Sequence, residues 1–101
     1  MVIEDKGKIS LSGFSLDPAE KAIVDNLIKN YKHKISEKIK FDEIKLRMRK
    51  SAHGKTFMHE VQGSLIAGKI FNSKVIDYNL FAALAEVLEK LMHEAEHYQR
   101  R

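Results

Sequence analysis

Two constellations in this sequence have residue types and spacing that suggest chemistry. His93-Glu94-Ala95-Glu96-His97 spells H-E-x-x-H, which on a helix puts two imidazoles on one face, one turn apart. Such a pair can hold zinc while the glutamate activates a bound water. A catalytic zinc needs a third protein ligand, and only Tyr98-Gln99-Arg100-Arg101 follow. The apolar stripe Leu84, Leu88, Leu91 and Ala95 also leaves His93 and His97 at its edge or in solvent. The reading is therefore no catalytic residue, no metal site and no cofactor, with a zinc-binding hydrolase as the alternative it displaces.

The second constellation is a row of cations. Lys45, Arg47 and Arg49 alternate with Ile44, Leu46 and Met48, and Lys50 and Lys55 follow. On a strand this period gives one apolar and one cationic face. Three cations in register repel one another unless something anionic lies opposite them. Phosphates fit that role and supply affinity without reading base sequence. Lys21, Lys29 and Lys32 lie along a predicted first helix, with Asp25 opposing them, and Lys90 lies on a second. Other machinery is missing. There is no Cys, no G-x-S-x-G and no phosphate-cradling glycine motif. Glu86 and Glu89 read as a solvated helix face, and His33, His53 and His59 do not converge. Exposed aromatics for base stacking are few, Tyr78 and Tyr98 at most, so structured RNA read by shape and backbone is the better ligand class.

These residues must be positioned by a small fold. The chain has 101 residues, 44% of them hydrophobic, and eighteen Lys+Arg against fourteen Asp+Glu give a net charge of +4. That is enough for one core, so residues 1–101 are expected to form one domain. No apolar run approaches the ~20 residues of a membrane span, and residues 1–6 lack a signal-peptide layout. A soluble cytoplasmic domain is expected, with no membrane or small-molecule partner.

Alternation of Ile9 and Leu11 with Ser10 and Ser12 predicts a strand over 8–14. Asp17-Pro18-Ala19-Glu20 then reads as a capping box with Pro in the first turn. The helix it opens continues to about Ile39, with Ile23, Val24, Leu27, Ile28, Tyr31 and Ile35 on one side. A second strand follows Phe41. Ser51-Ala52-His53-Gly54-Lys55 supplies a turn, and 57–66 alternates as a third strand with Phe57, Val61 and Leu65 inward. Gly63 within it marks a bulge or a close contact. Residues 69–77 read as a fourth strand with Phe71 and Val75 inward. A last helix begins near Leu80, capped by Asn79 or Asp77, and the residues from Tyr98 onward are expected to fray. The order is β-α-β-β-β-α. The predicted class is α+β, a two-layer sandwich in which two helices pack on one face of a four-stranded sheet. Strands two, three and four pair antiparallel through short links.

From residue 9 to about 98 the chain resembles the short ribosome hibernation-promoting and ribosome-associated inhibitor family. The resemblance rests on Ile9-Ser10-Leu11-Ser12-Gly13, on Lys21 in the first helical turn, and on Leu46-Arg47-Met48-Arg49-Lys50. It is carried further by Asn79-Leu80-Phe81-Ala82-Ala83-Leu84 with Glu89-Lys90-Leu91 after it. Asn79 stands where the family usually has Asp. His93 and His97 stand where Arg and Lys are common, and Glu94 and Glu96 add charges of the wrong sign for phosphate. The resemblance implies a non-enzymatic factor that binds small-subunit rRNA near the decoding channel and inhibits translation or preserves idle ribosomes under stress. Taken together with the cationic rows, the expected rRNA contacts are Lys21, Lys29, Lys32, Lys45, Arg47, Arg49, Lys50, Lys90, His93 and His97. The chain ends where long members continue into a dimerisation domain, so a monomer off the ribosome is expected. A generic double-stranded RNA-binding domain is the alternative. Its last helix would open with a Lys-Lys pair, whereas this one opens with apolar residues and Ala.

Overall fold

The computed structural model describes residues 7–99. The signal-peptide reading of residues 1–6 and the fraying expected at Arg100 and Arg101 lie outside them. Six elements follow one another: β1 (Lys8–Ser12), α1 (Pro18–Lys38), β2 (Glu43–His53), β3 (Thr56–Ile66), β4 (Ile70–Asp77) and α2 (Leu80–Gln99). The strands form one sheet in the order β1-β2-β3-β4. β2, β3 and β4 are antiparallel hairpin neighbours. β1 and β2 are parallel, with Ser10 opposite Lys45 and Ser12 opposite Arg47. A parallel pair needs a crossover, and α1 supplies it. This is the two-layer α+β arrangement predicted by the pattern.

The helix starts follow from their cap residues. Glu20 N–H donates to Asp17 Oδ1 at 2.8 Å, and Asp17 N–H donates back to Glu20 Oε1 at 3.2 Å, closing the capping box. Asn79 Oδ1 accepts from Ala82 N–H at 3.1 Å and caps α2, while Asp77 Oδ1 accepts from Asn79 N–H at 2.8 Å and shapes the turn before it. β1 is shorter than the alternation suggested. It stops at Ser12 because Gly13 turns the chain with φ 75°.

The core lies between the helices and one face of the sheet. Ile44, Leu46 and Met48 of β2, Val61 and Leu65 of β3, and Phe71 and Val75 of β4 meet Val24, Ile28 and Ile35 of α1 and Leu84, Val87, Leu88 and Leu91 of α2. Several apolar positions fall outside it, Ile23 and Phe57 among them. These two remain about half exposed, at 47% and 50%. Phe57 has the inward parity of β3, but it sits where the β2–β3 hairpin runs past the helices, so no helix covers it. The helices run in the same direction. Tyr31 of α1 donates its hydroxyl to Glu89 of α2, and seven residues further along each helix Lys38 Nζ lies 3.0 Å from Glu96 Oε2. Tyr98, where fraying was expected, is helical and packs edge-on against Phe71 with ring centroids 5.6 Å apart.

Candidate nucleic-acid interface

The face of the sheet opposite the helices is open, and the cationic row stands on it. Lys45, Arg47 and Arg49 are exposed while Ile44, Leu46 and Met48, their alternating neighbours, are buried. Successive cations are therefore two residues apart, about 6.7 Å along the strand. Register sets their neighbours. Lys45 lies between Ser10 and Ser64, Arg47 between Ser12 and Gln62, and Arg49 beside Glu60. Ser10, Ser12, Lys45, Arg47, Gln62 and Ser64 line a shallow, open depression. Its breadth and openness suit an extended polyanion better than an enclosed small molecule.

Charge on this face is unbalanced. Its carboxylates are already engaged: Glu43 Oε2 accepts from Ser10 Oγ at 2.6 Å, and Glu60 lies 4.0 Å from Lys74 Nζ and within 3.4 Å of Gln62 Nε2. Among the described residues, none of Lys45, Arg47 and Arg49 has a carboxylate within ion-pair distance. The strand positions of this face hold no Phe, Tyr or Trp. Hydroxyls, amides and cations can contact phosphate and sugar oxygens, whereas stacking of splayed bases has no platform here.

The helix cations occupy the other layer and differ in their surroundings. Lys21 lies 2.9 Å from Asp25, Lys90 3.9 Å from Glu86 and His93 3.4 Å from Glu89, each one helical turn apart. His33 makes the same kind of pair with Glu37 at 3.3 Å, a carboxylate the sequence reading overlooked. Lys29, Lys32, His33 and Lys34 border a second shallow depression on α1, and Lys34 Nζ stands 4.9 Å from the centre of the Tyr31 ring. Lys50 departs from the open-face row. Its ammonium lies 4.6 Å over the Phe57 ring, on the helix side of the projecting hairpin. His97 is exposed near the end of α2. Among the described residues no three His, Asp or Glu side chains are grouped to hold a metal ion. The sequence-derived residues thus fall on two faces. Lys45, Arg47 and Arg49 share one, and Lys21, Lys29, Lys32, Lys90, His93 and His97 belong to the helix layer. Ser10, Ser12, Gln62 and Ser64 join the first group, and only strand order could have revealed them.

Tyr31 has a resolved perturbation. Burial, reinforced by its hydrogen bond to Glu89 and by that carboxylate's charge, raises its pKa to about 12. Its role is to join the helices, away from the cationic face.

No family model and no curated protein sequence matches the chain. Solved structures do. A ribosomal subunit interface protein from Coxiella burnetii superposes with a TM-score of 0.66 at 15% identity, over 93% of this chain and 99% of that one. The N-terminal domain of Thermus thermophilus Protein Y superposes with a TM-score of 0.55 at 17% identity, over 90% and 94% respectively. At these identities the likeness is one of fold, and it extends over nearly the whole chain. Among the described residues no helix is long and apolar enough to cross a membrane.

Proposed function

We propose that this chain is a non-enzymatic ribosome-associated factor of the hibernation-promoting type. It acts in the cytoplasm and holds small-subunit rRNA near the decoding channel through the open face of its sheet. The observation that carries this reading is the row Lys45, Arg47 and Arg49, three exposed cations without carboxylate partners among the described residues, on a fold shared with a ribosomal subunit interface protein. The row neutralises successive phosphates, and Ser10, Ser12, Gln62 and Ser64 supply hydrogen bonds to phosphate or sugar oxygens between them. Occupancy is the mechanism. A folded wedge seated on the backbone excludes other ligands from the channel, blocks initiation and preserves idle ribosomes under stress. Within the helix layer, Lys21 and Lys90 each have a carboxylate one turn away and contribute less.

Co-sedimentation with purified small subunits tests the reading. The chain should pellet with them at low salt, be released as salt rises, and inhibit translation in a reconstituted system at matching concentrations. A chain that stays in the supernatant at every salt concentration refutes it.

A further inference from the structure

Among the described residues the outer side of β4 is unpaired, and its side chains make one self-complementary register. β4 ends the sheet, and among the described residues no strand lies beyond it. Ile70 and Ile76 stand on the open face at 58% and 52% exposure. An edge strand with two exposed isoleucines is a template for another strand.

We infer that β4 is the contact edge of a symmetric dimer, in which it pairs antiparallel with β4 of a second copy about a two-fold axis at Ser73. Directly opposed residues in an antiparallel pair share a face. Centring the axis at Ser73 sets Ile70 against Ile76 of the second copy on the open face, with Ile66 alongside Ile70. On the helix side the same register sets Phe71 against Val75, and Lys69 against Asp77. Asn72 faces Lys74. Apolar residues thus meet apolar residues, and opposite charges meet at both ends. Centring at Asn72 instead opposes Ile70 to Lys74, and centring at Lys74 opposes the two lysines and sets Phe71 against Asp77. Lys74 therefore selects the register rather than forbidding pairing.

The helix layer accommodates the dimer as well. α2 lies over β3 and β4. The two copies of α2 then fall two strand spacings apart, about 10 Å, an ordinary helix-packing distance. The cations of β2 are two strands from the boundary and stay uncovered. A contact of one short strand from each copy belongs with small interfaces, so dimerisation is concentration-dependent. The inference needs no ribosome and departs from the monomer expected from the sequence.

The chain has no Cys, so Ser73→Cys carries a single thiol. In the proposed dimer the two Cα atoms at position 73 lie about 4.5–5.5 Å apart, within disulfide range. Mild oxidation should convert Ser73→Cys to a covalent dimer. Asn72→Cys and Lys74→Cys place their own copies diagonally, about 7–8 Å apart, and should cross-link poorly. Sedimentation equilibrium should show reversible dimerisation of the unmodified chain, and exposed Ile76→Lys should raise the dissociation constant about tenfold or more. A chain that stays monomeric up to its solubility limit, leaving the edge to an extended segment of some other protein, overturns the inference. So does cross-linking that favours position 72 or 74 over 73, or a dimer that Ile76→Lys leaves unchanged.

Discussion

Val87 Cγ1 occupies the space that a β-carbon on Gly63 would need: the two would be 2.6 Å apart, with Leu91 Cδ1 at 2.9 Å. Gly63 lies in β3 beside Leu46 and Ser73, so its bare backbone lets α2 settle onto the middle of the sheet. Gly63→Ala should lower stability by about 1–3 kcal/mol, the usual cost of overpacking a filled core. Adding Val87→Ala should restore part of that loss. Urea denaturation of both single variants and the double variant measures the coupling, and strictly additive losses would show that the two sites do not compete for space.

Gly13 is constrained in two ways. Its φ of 75° is left-handed, and a β-carbon there would collide with the Met48 carbonyl oxygen. Gly13→Ala should cost about 2–4 kcal/mol, combining backbone strain with the collision. Gly13→Asn separates the two causes, since Asn tolerates left-handed backbone better than Ala does. It should remain well below wild type in thermal and urea melts. Full stability in the Asn variant would leave the collision without effect.

Tyr31 predicts an alkaline weakness. Burial and the bond to Glu89 raise its pKa to about 12 in the folded chain, against about 10 in an unfolded one. Above pH 10 the unfolded chain releases this proton while the folded chain keeps it. The Tyr31 contribution is therefore intact below about pH 10 and is lost as pH rises toward 12. Tyr31→Phe should be slightly less stable near neutrality, by about 0.5–1 kcal/mol for the hydrogen bond. Its stability should also fall less than that of wild type between pH 10 and 12. Parallel denaturation curves across that range check the sign.

Much of this was legible in the sequence because it depends on short-range periods. The two-residue alternation from Ile44 to Arg49 assigned the cations to one face of β2, and the Asp17/Glu20 box marked the start of α1. Gly63 within the third strand reads as a bulge or a close contact, and the close contact is what the structure has. Facts set by long-range pairing were not legible. Nothing local says that β1 lies parallel beside β2, which brings Ser10 and Ser12 next to Lys45 and Arg47. The helix cations read as a row because residue type was counted before one-turn neighbours such as Glu37 and Glu86 were placed against them. Phe57 followed the inward parity correctly, but parity along a strand does not say where the covering helices stop.

The open-face row yields the most direct prediction about binding. Arg47 and Arg49 are exposed and have no carboxylate partner among the described residues, so replacing both with Ala should leave the fold intact and change stability by less than about 0.5 kcal/mol. Affinity for small subunits or structured RNA should fall, and the salt dependence should change with it. Each phosphate contact contributes about 0.7–0.9 to the slope of log K against log salt, so removing two should flatten the slope by about 1.5. Lys21→Ala with Lys90→Ala is the matched control. It removes the same charge from the helix layer, where Asp25 and Glu86 lie within 4 Å of the two lysines, and should change the slope much less. If the two double variants lose slope equally, binding follows net charge and the sheet face has no special role. If only the strand pair flattens it, the polyanion lies along β2.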